Sequence, residues 1–146
     1  MNEKLLRKYR EIQIDTADPG TLILMLYDGA IHELNVLKEL LKAPKLDREE
    51  FSKHMTKARD IIIELMASLN FDHPEARPIA SNLWRIYEYM VWRLMMADLK
   101  KDEGMIDEVL KLLTTLRDAW EQIVNRATEQ QGEDRGEKPR RLVAVV

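Results

Sequence analysis

The chain has 146 residues, 45% hydrophobic and 34% charged, with a formal net charge of −3; this is the size and balance of one globular domain able to bury a sizeable core. Its mixed, slightly acidic charge offers no broad basic field, which argues against nucleic acid as the main partner. It has no cysteine, so disulfide and thiolate chemistry are excluded, and no apolar run has the length of a secretory leader or a membrane span.

Glycine and proline number only five each, against an abundance of Leu, Glu, Lys, Met, Ala and Arg, and this predicts an all-α chain. Asn2 to Ile12 can form a short helix with Leu5, Leu6, Tyr9 and Ile12 on its apolar side. Lys4, Arg7, Lys8 and Arg10 make it locally basic, but Glu3 and Glu11 break the run, so a solvated face is expected. Gln13 to Ala17 is a short link. Asp18 can then cap a helix whose first position is Pro19, where a missing N–H costs nothing. That helix should run to about Lys42, with a seam of Ile23, Tyr27, Ala30, Leu34, Leu37 and Leu41. Leu22 to Tyr27 carries no charge, and Gly29 lies mid-helix, where another backbone could approach.

Pro44 stops the first helix, and Asp47 starts the second with a capping box to Glu50. Its seam is Phe51, Met55, Ala58, Ile62, Leu65 and Leu69. Asn70 to Pro78, with two prolines, reads as a connection. The third helix is expected from about Ile79 to Lys101, with Ala80, Leu83, Tyr87, Met90, Leu94 and Ala97 inward. After a turn at Asp102 to Gly104, the fourth carries Ile106, Val109, Leu113, Leu116, Trp120 and Ile123 to about Ala127. Thr128 to Arg141 is polar and charge-mixed, which reads as a flexible tail, and LVAVV closes the chain.

All four segments repeat a 4-3 apolar spacing, the mark of helices packing in a bundle. Connections this short make neighbours antiparallel. The expected fold is an up-down-up-down four-helix bundle with a short N-terminal helical cap, over residues 1–127, followed by a charged tail over 128–146.

The third helix departs from the simple pattern. Opposite its seam lie Tyr89, Trp92, Met96 and Leu99, interrupted only by Arg85 and Glu88, whereas the fourth helix presents Asp107, Lys111, Thr114, Asp118 and Glu121 outward. Either the chain covers this face itself, for example with its N-terminal segment, or the face is a groove for a partner's amphipathic helix.

Catalytic and metal signatures are missing. A di-metal bundle needs paired Glu-x-x-His motifs, and none of His32, His54 and His73 has a Glu three residues before it. No His-Glu-x-x-His, phosphate-cradling glycine loop or Gly-x-Ser-x-Gly occurs. Asp28 is expected to be a solvated or capping group and Asp98 to pair with a neighbour. No enzymatic activity, metal or cofactor is expected.

The stretch Thr16, Ala17, Pro19, Leu26, Tyr27, Asp28, Gly29 and Ala30, with Tyr9 upstream, resembles the opening of the FliS family, the cytoplasmic chaperones of flagellin. The likeness continues in Asp60 to Leu69, Leu83 to Leu94 and Asp107 to Trp120, and covers roughly residues 5 to 125. It implies a cytoplasmic protein whose partner is the C-terminal helical segment of flagellin, held until export through the flagellar type III apparatus, components of which are further candidate partners. The candidate binding residues are then Tyr9, Ile12, Tyr89, Trp92, Met96 and Leu99. Tyr9 is either an anchor for the short cap or a plug near the flagellin-binding surface. The alternative is an adaptor bundle that forms a homodimer through the outer face of its third helix. No membrane insertion is expected. The charged tail and LVAVV have no counterpart in the family pattern.

Overall fold

A computed structural model describes residues 18–133, which form four helices and, within that range, no strand. Helix α1 spans Pro19–Lys42; the Asp18 carboxylate accepts from the Thr21 N–H at 2.8 Å, and Pro19 opens the first turn. It ends at Ala43, whose backbone is extended, as the residue before Pro44 must be. Helix α2 spans Arg48–Ala67, capped by Asp47, which accepts from the Glu50 N–H at 3.1 Å. The expected capping box is one-sided: the Glu50 carboxylate turns to His54 Nε2 at 3.3 Å.

Helix α3 spans Arg77–Lys100 and so begins two residues ahead of Ile79. Pro78 belongs to its first turn rather than to the connection, because proline is at home there. Lys101 closes it in the left-handed region at φ 51°. The Lys101 ammonium bonds to the Asp98 carboxylate at 2.8 Å, which gives Asp98 its expected partner. Helix α4 spans Glu103–Glu133. The Asp102 carboxylate accepts from the N–H groups of Gly104 at 2.8 Å and Met105 at 3.3 Å. α4 continues past the expected end near Ala127, since Thr128 to Gln131 contains no breaker and the first glycine is Gly132.

Cross-helix pairs give the directions. Asp28 meets Arg117 and Lys38 meets Asp107, so α1 and α4 are antiparallel. Glu33 meets His54 while Gly29 lies against Ile61, so α1 and α2 are antiparallel too. Consecutive helices pack on each other and α1 also packs on α4, which leaves α1 and α3 facing each other across the diagonal. The seam residues fill the middle: Leu34, Leu37, Phe51, Met55, Ile62, Met90, Leu94, Ile106 and Leu113 are buried. Ile123, expected inward, is exposed. With Arg117 opposite Asp28, the start of α1 at Pro19 is level with about residue 126 of α4, so Ile123 lies where the bundle is running out.

Candidate partner-binding groove

The seams between helices are not alike. Polar bridges span α1–α2 (the Glu33–His54 hydrogen bond), α1–α4 (the ion pairs Lys38–Asp107 and Asp28–Arg117) and α3–α4 (the ion pair Arg93–Glu108). Among the described residues none bridges α2–α3. There Ile63, Met66 and Ala67 of α2 face Trp84, Glu88, Val91, Trp92 and Met95 of α3 across an open groove of about 440 Å³. A second hollow of about 390 Å³, lined by Phe71, Ser81, Trp84 and Arg85, continues it. Trp84 belongs to both, and Phe71 stands edge-on to it at 6.3 Å. From Ser81 to Met95 the strip is about 21 Å long at 1.5 Å per residue. Ile63, Trp84, Trp92 and Met95 are 49%, 40%, 50% and 47% exposed, an amount of bared apolar surface that a closed seam would not leave.

Of the residues read from sequence, Trp92 lines the groove. Tyr89 sits on the other flank of α3, where its hydroxyl donates to Glu108 of α4; its ring lies 5.9 Å from that of Trp92. Leu99 is 80% exposed, beyond the groove toward the C-terminal end of α3. Met96 is half-buried and packs against the core, and Met95 takes the groove position instead. Tyr9, Ile12 and Thr16, with the proposed N-terminal cap, lie outside the described residues, as does most of the tail. Sequence reasoning missed Ile63, Met66, Trp84, Val91 and Met95. The signal was present as apolar residues on the flanks of two helices, but a search directed opposite each seam passes over flanks.

The motif Pro19, Leu26, Tyr27, Asp28, Gly29 and Ala30 points elsewhere. Tyr27 and Ala30 are fully buried and Leu26 is partly buried against the core. The Tyr27 hydroxyl bonds to the Tyr87 hydroxyl across the bundle diagonal. Burial pushes both phenols up, Tyr87 to about 12 and Tyr27 further still, so both stay protonated. Asp28 is neither free nor a cap: it accepts from Arg117 Nε at 2.8 Å, which together with Glu121 keeps the guanidinium firmly charged. A Cβ placed on Gly29 would meet Ile61 Cδ1 at 3.4 Å, so a side chain rather than a backbone lies opposite. The motif therefore builds the core and the α1–α4 seam, while the groove opens on the α2–α3 side.

His54 holds Glu33 through Nδ1 and Glu50 through Nε2, so its two nitrogens are engaged in different directions. No group of three or more His, Asp and Glu side chains among the described residues is placed to hold a metal.

The family model described as "Flagellar protein FliS" matches residues 1–127. The chain belongs to the FliS family. It is 33% identical to the flagellar secretion chaperone FliS of Bacillus subtilis over 116 residues, covering 80% of this chain and 83% of that one. The corresponding protein of Salmonella typhimurium is 34% identical over 131 residues, 86% and 94% of the two chains. That of Vibrio cholerae is 30% identical over 122 residues, 81% and 87%. The chain, whose regular structure among the described residues is entirely helical, is thus a member of a family that includes flagellar secretion chaperones. No helix among its described residues is long and apolar enough to cross a membrane.

Proposed function

We propose that this chain is a cytoplasmic export chaperone that receives the C-terminal helical segment of flagellin along the α2–α3 groove and keeps it competent for flagellar type III export. The observation that carries the reading is the open apolar strip of Ile63, Trp84, Trp92 and Met95 on an otherwise ion-paired bundle. Free flagellin ends bare apolar stripes that polymerise or aggregate, and a chaperone with surplus apolar surface masks them. Aromatic and methionine side chains supply contact area and adaptability to a segment that must later be released. Ordering such a client opposes binding by about 2–5 kcal/mol, which favours a long interface over a compact one. Tyr89 and Leu99 extend the surface around Trp92. Tyr9 and Ile12 join the same reading through the family resemblance alone.

The test separates groove from core. Truncating an aromatic anchor at an interface costs about 2 kcal/mol or more, roughly thirtyfold in affinity. Truncating the 8% exposed Leu83 costs about 2–5 kcal/mol of stability. Trp92→Ala should therefore weaken flagellin binding with little loss of stability, and Leu83→Ala should do the reverse. Calorimetry against flagellin with and without its C-terminal segment, beside denaturant titration, measures both. If Trp92→Ala unfolds the bundle and leaves the affinity of the folded fraction intact, the groove is not the client site. A dimer that persists on dilution and ignores flagellin would support self-association instead.

A further inference from the structure

On the flank of α3 away from the groove, one carboxylate from α4 holds two α3 side chains. Glu108 Oε2 accepts from Arg93 Nε at 2.6 Å, and Oε1 accepts from the Tyr89 hydroxyl. Tyr89 and Arg93 are four residues apart and therefore stacked on one helix face, so engaging both oxygens fixes the position of each. The Tyr89 hydrogen bond, and after it the Arg93 guanidinium, hold the Glu108 carboxyl below its usual range, so it is ionised at neutral pH. The same bond raises the Tyr89 phenol, which stays protonated as the donor. Tyr89 then lies with its ring 5.9 Å from Trp92 at 40°, on the side of the indole away from the groove.

We infer that Glu108 is a positioning residue for partner binding: by fixing Tyr89 it walls in Trp92 and presets the half-exposed indole in the groove before a client arrives. This rests on the reading of the groove as the client site. Glu108 is not among the groove-lining residues, so it acts through Tyr89. A half-exposed indole without such a wall samples several rotamers, and their loss on binding lowers affinity. Arg93 acts with Glu108 as its counter-charge and does not reach the groove lining.

The experiment uses the full chain labelled with 5-fluorotryptophan, with the Trp92 fluorine resonance assigned from Trp92→Phe, together with calorimetry against flagellin. Glu108→Ala should shift or broaden the Trp92 resonance and leave those of Trp84 and Trp120 in place. It should also weaken flagellin binding about two- to tenfold at an unchanged denaturation midpoint. Tyr89→Phe keeps the ring but loses the bond to Glu108, and should move the same resonance. In the Trp92→Ala background, Glu108→Ala should add no more to the affinity loss than Tyr89→Phe adds there. A full additional loss in that background would mean that Glu108 meets the client itself, which overturns the inference. An unmoved Trp92 resonance in both variants overturns it as well. If Trp92→Ala leaves affinity intact, the reading of the groove as client site falls, while the resonance still reports whether Glu108 sets the indole.

Discussion

Removing one hydroxyl of the Tyr27–Tyr87 pair should cost more than removing both. The two phenols are 0% and 2% exposed and their hydroxyls bond to each other across the diagonal. No buried side-chain polar atom among the described residues lacks a partner. Tyr27→Phe strips Tyr87 of its partner and leaves a hydroxyl in an apolar core, which costs about 1–3 kcal/mol. Tyr87→Phe leaves Tyr27 only the indole of Trp120 as a partner and should cost toward the low end of that range. The double Phe variant removes donor and acceptor together and should cost no more than one single change, which gives a coupling energy of about 1 kcal/mol or more. For a chain of this length each kcal/mol moves the thermal midpoint by about 2–4 °C. Urea titration followed by helical circular dichroism on the four proteins closes the cycle, and calorimetry with flagellin checks function. Affinity should not change in any of them, because neither tyrosine reaches the groove. Additive single effects would mean that the hydroxyls are not coupled. A tenfold loss of affinity in folded Tyr27→Phe would refute the assignment of the motif to the core.

Three further outcomes follow from the same geometry. Because Tyr87 is raised to about 12 in the fold against 10.0 unfolded, its contribution is complete below pH 10 and is lost as pH rises through about 12, on the order of 3 kcal/mol in all; the double Phe variant should lack this alkaline loss in a pH series of urea titrations. Gly29→Ala should be neutral to stabilising by about 1 kcal/mol, since helix propensity improves and only the end of Ile61 must yield at 3.4 Å; a loss above that in urea titration would show tighter α1–α2 packing. Truncation after Ala127 removes the part of α4 beyond the start of α1 and should lower the thermal midpoint by only about 3 °C, whereas a collapse of helicity would place the removed residues in the core.

The bundle was legible because a seam is a periodic object. Leu34, Met55, Met90 and Leu113 recur at the spacing that any inward helix face requires, and each is buried. The groove was only half legible, because it belongs to no single helix. It exists where the flank of α2 carrying Ile63 and Met66 meets the flank of α3 carrying Trp84 and Met95, and the register between two helices is not written in the periodicity of either. Trp92 was found because it stands far enough round the helix to be read as outward under any register. The choice of Met95 over Met96 follows from where the groove lies: consecutive residues stand about 100° apart on a helix, and Met95 shares the α2 flank with Trp84 and Val91. The hydroxyl pair was out of reach for a similar reason, since Tyr27 and Tyr87 are 60 residues apart and either reads alone as an apolar seam residue.

The distribution of ion pairs over the seams bears on function more than on stability. Exposed pairs such as Asp28–Arg117 are worth about 0–1 kcal/mol, so the bundle would stand without them. What they do is present charged, hydrated heads along the α1–α4 and α3–α4 seams, where any apolar partner would have to strip water from ions, while the half-buried Glu33–His54 bond closes the α1–α2 seam. The α2–α3 seam carries no such pair among the described residues, only Glu88 and Arg85 standing singly in its lining, and its indoles and thioethers are released from water when an apolar segment settles there. The strip is also bounded. Lys101 lies over the Phe51 ring at 4.6 Å where α2 begins and α3 ends, and Phe71 stands against Trp84 where α2 ends and α3 begins. From Ser81 to Met95 about 21 Å is open, enough for four turns of one amphipathic helix or for about six residues of extended chain. The bundle thus directs an apolar segment of limited length to one side by leaving a single seam, among the described residues, without a polar bridge between its two helices.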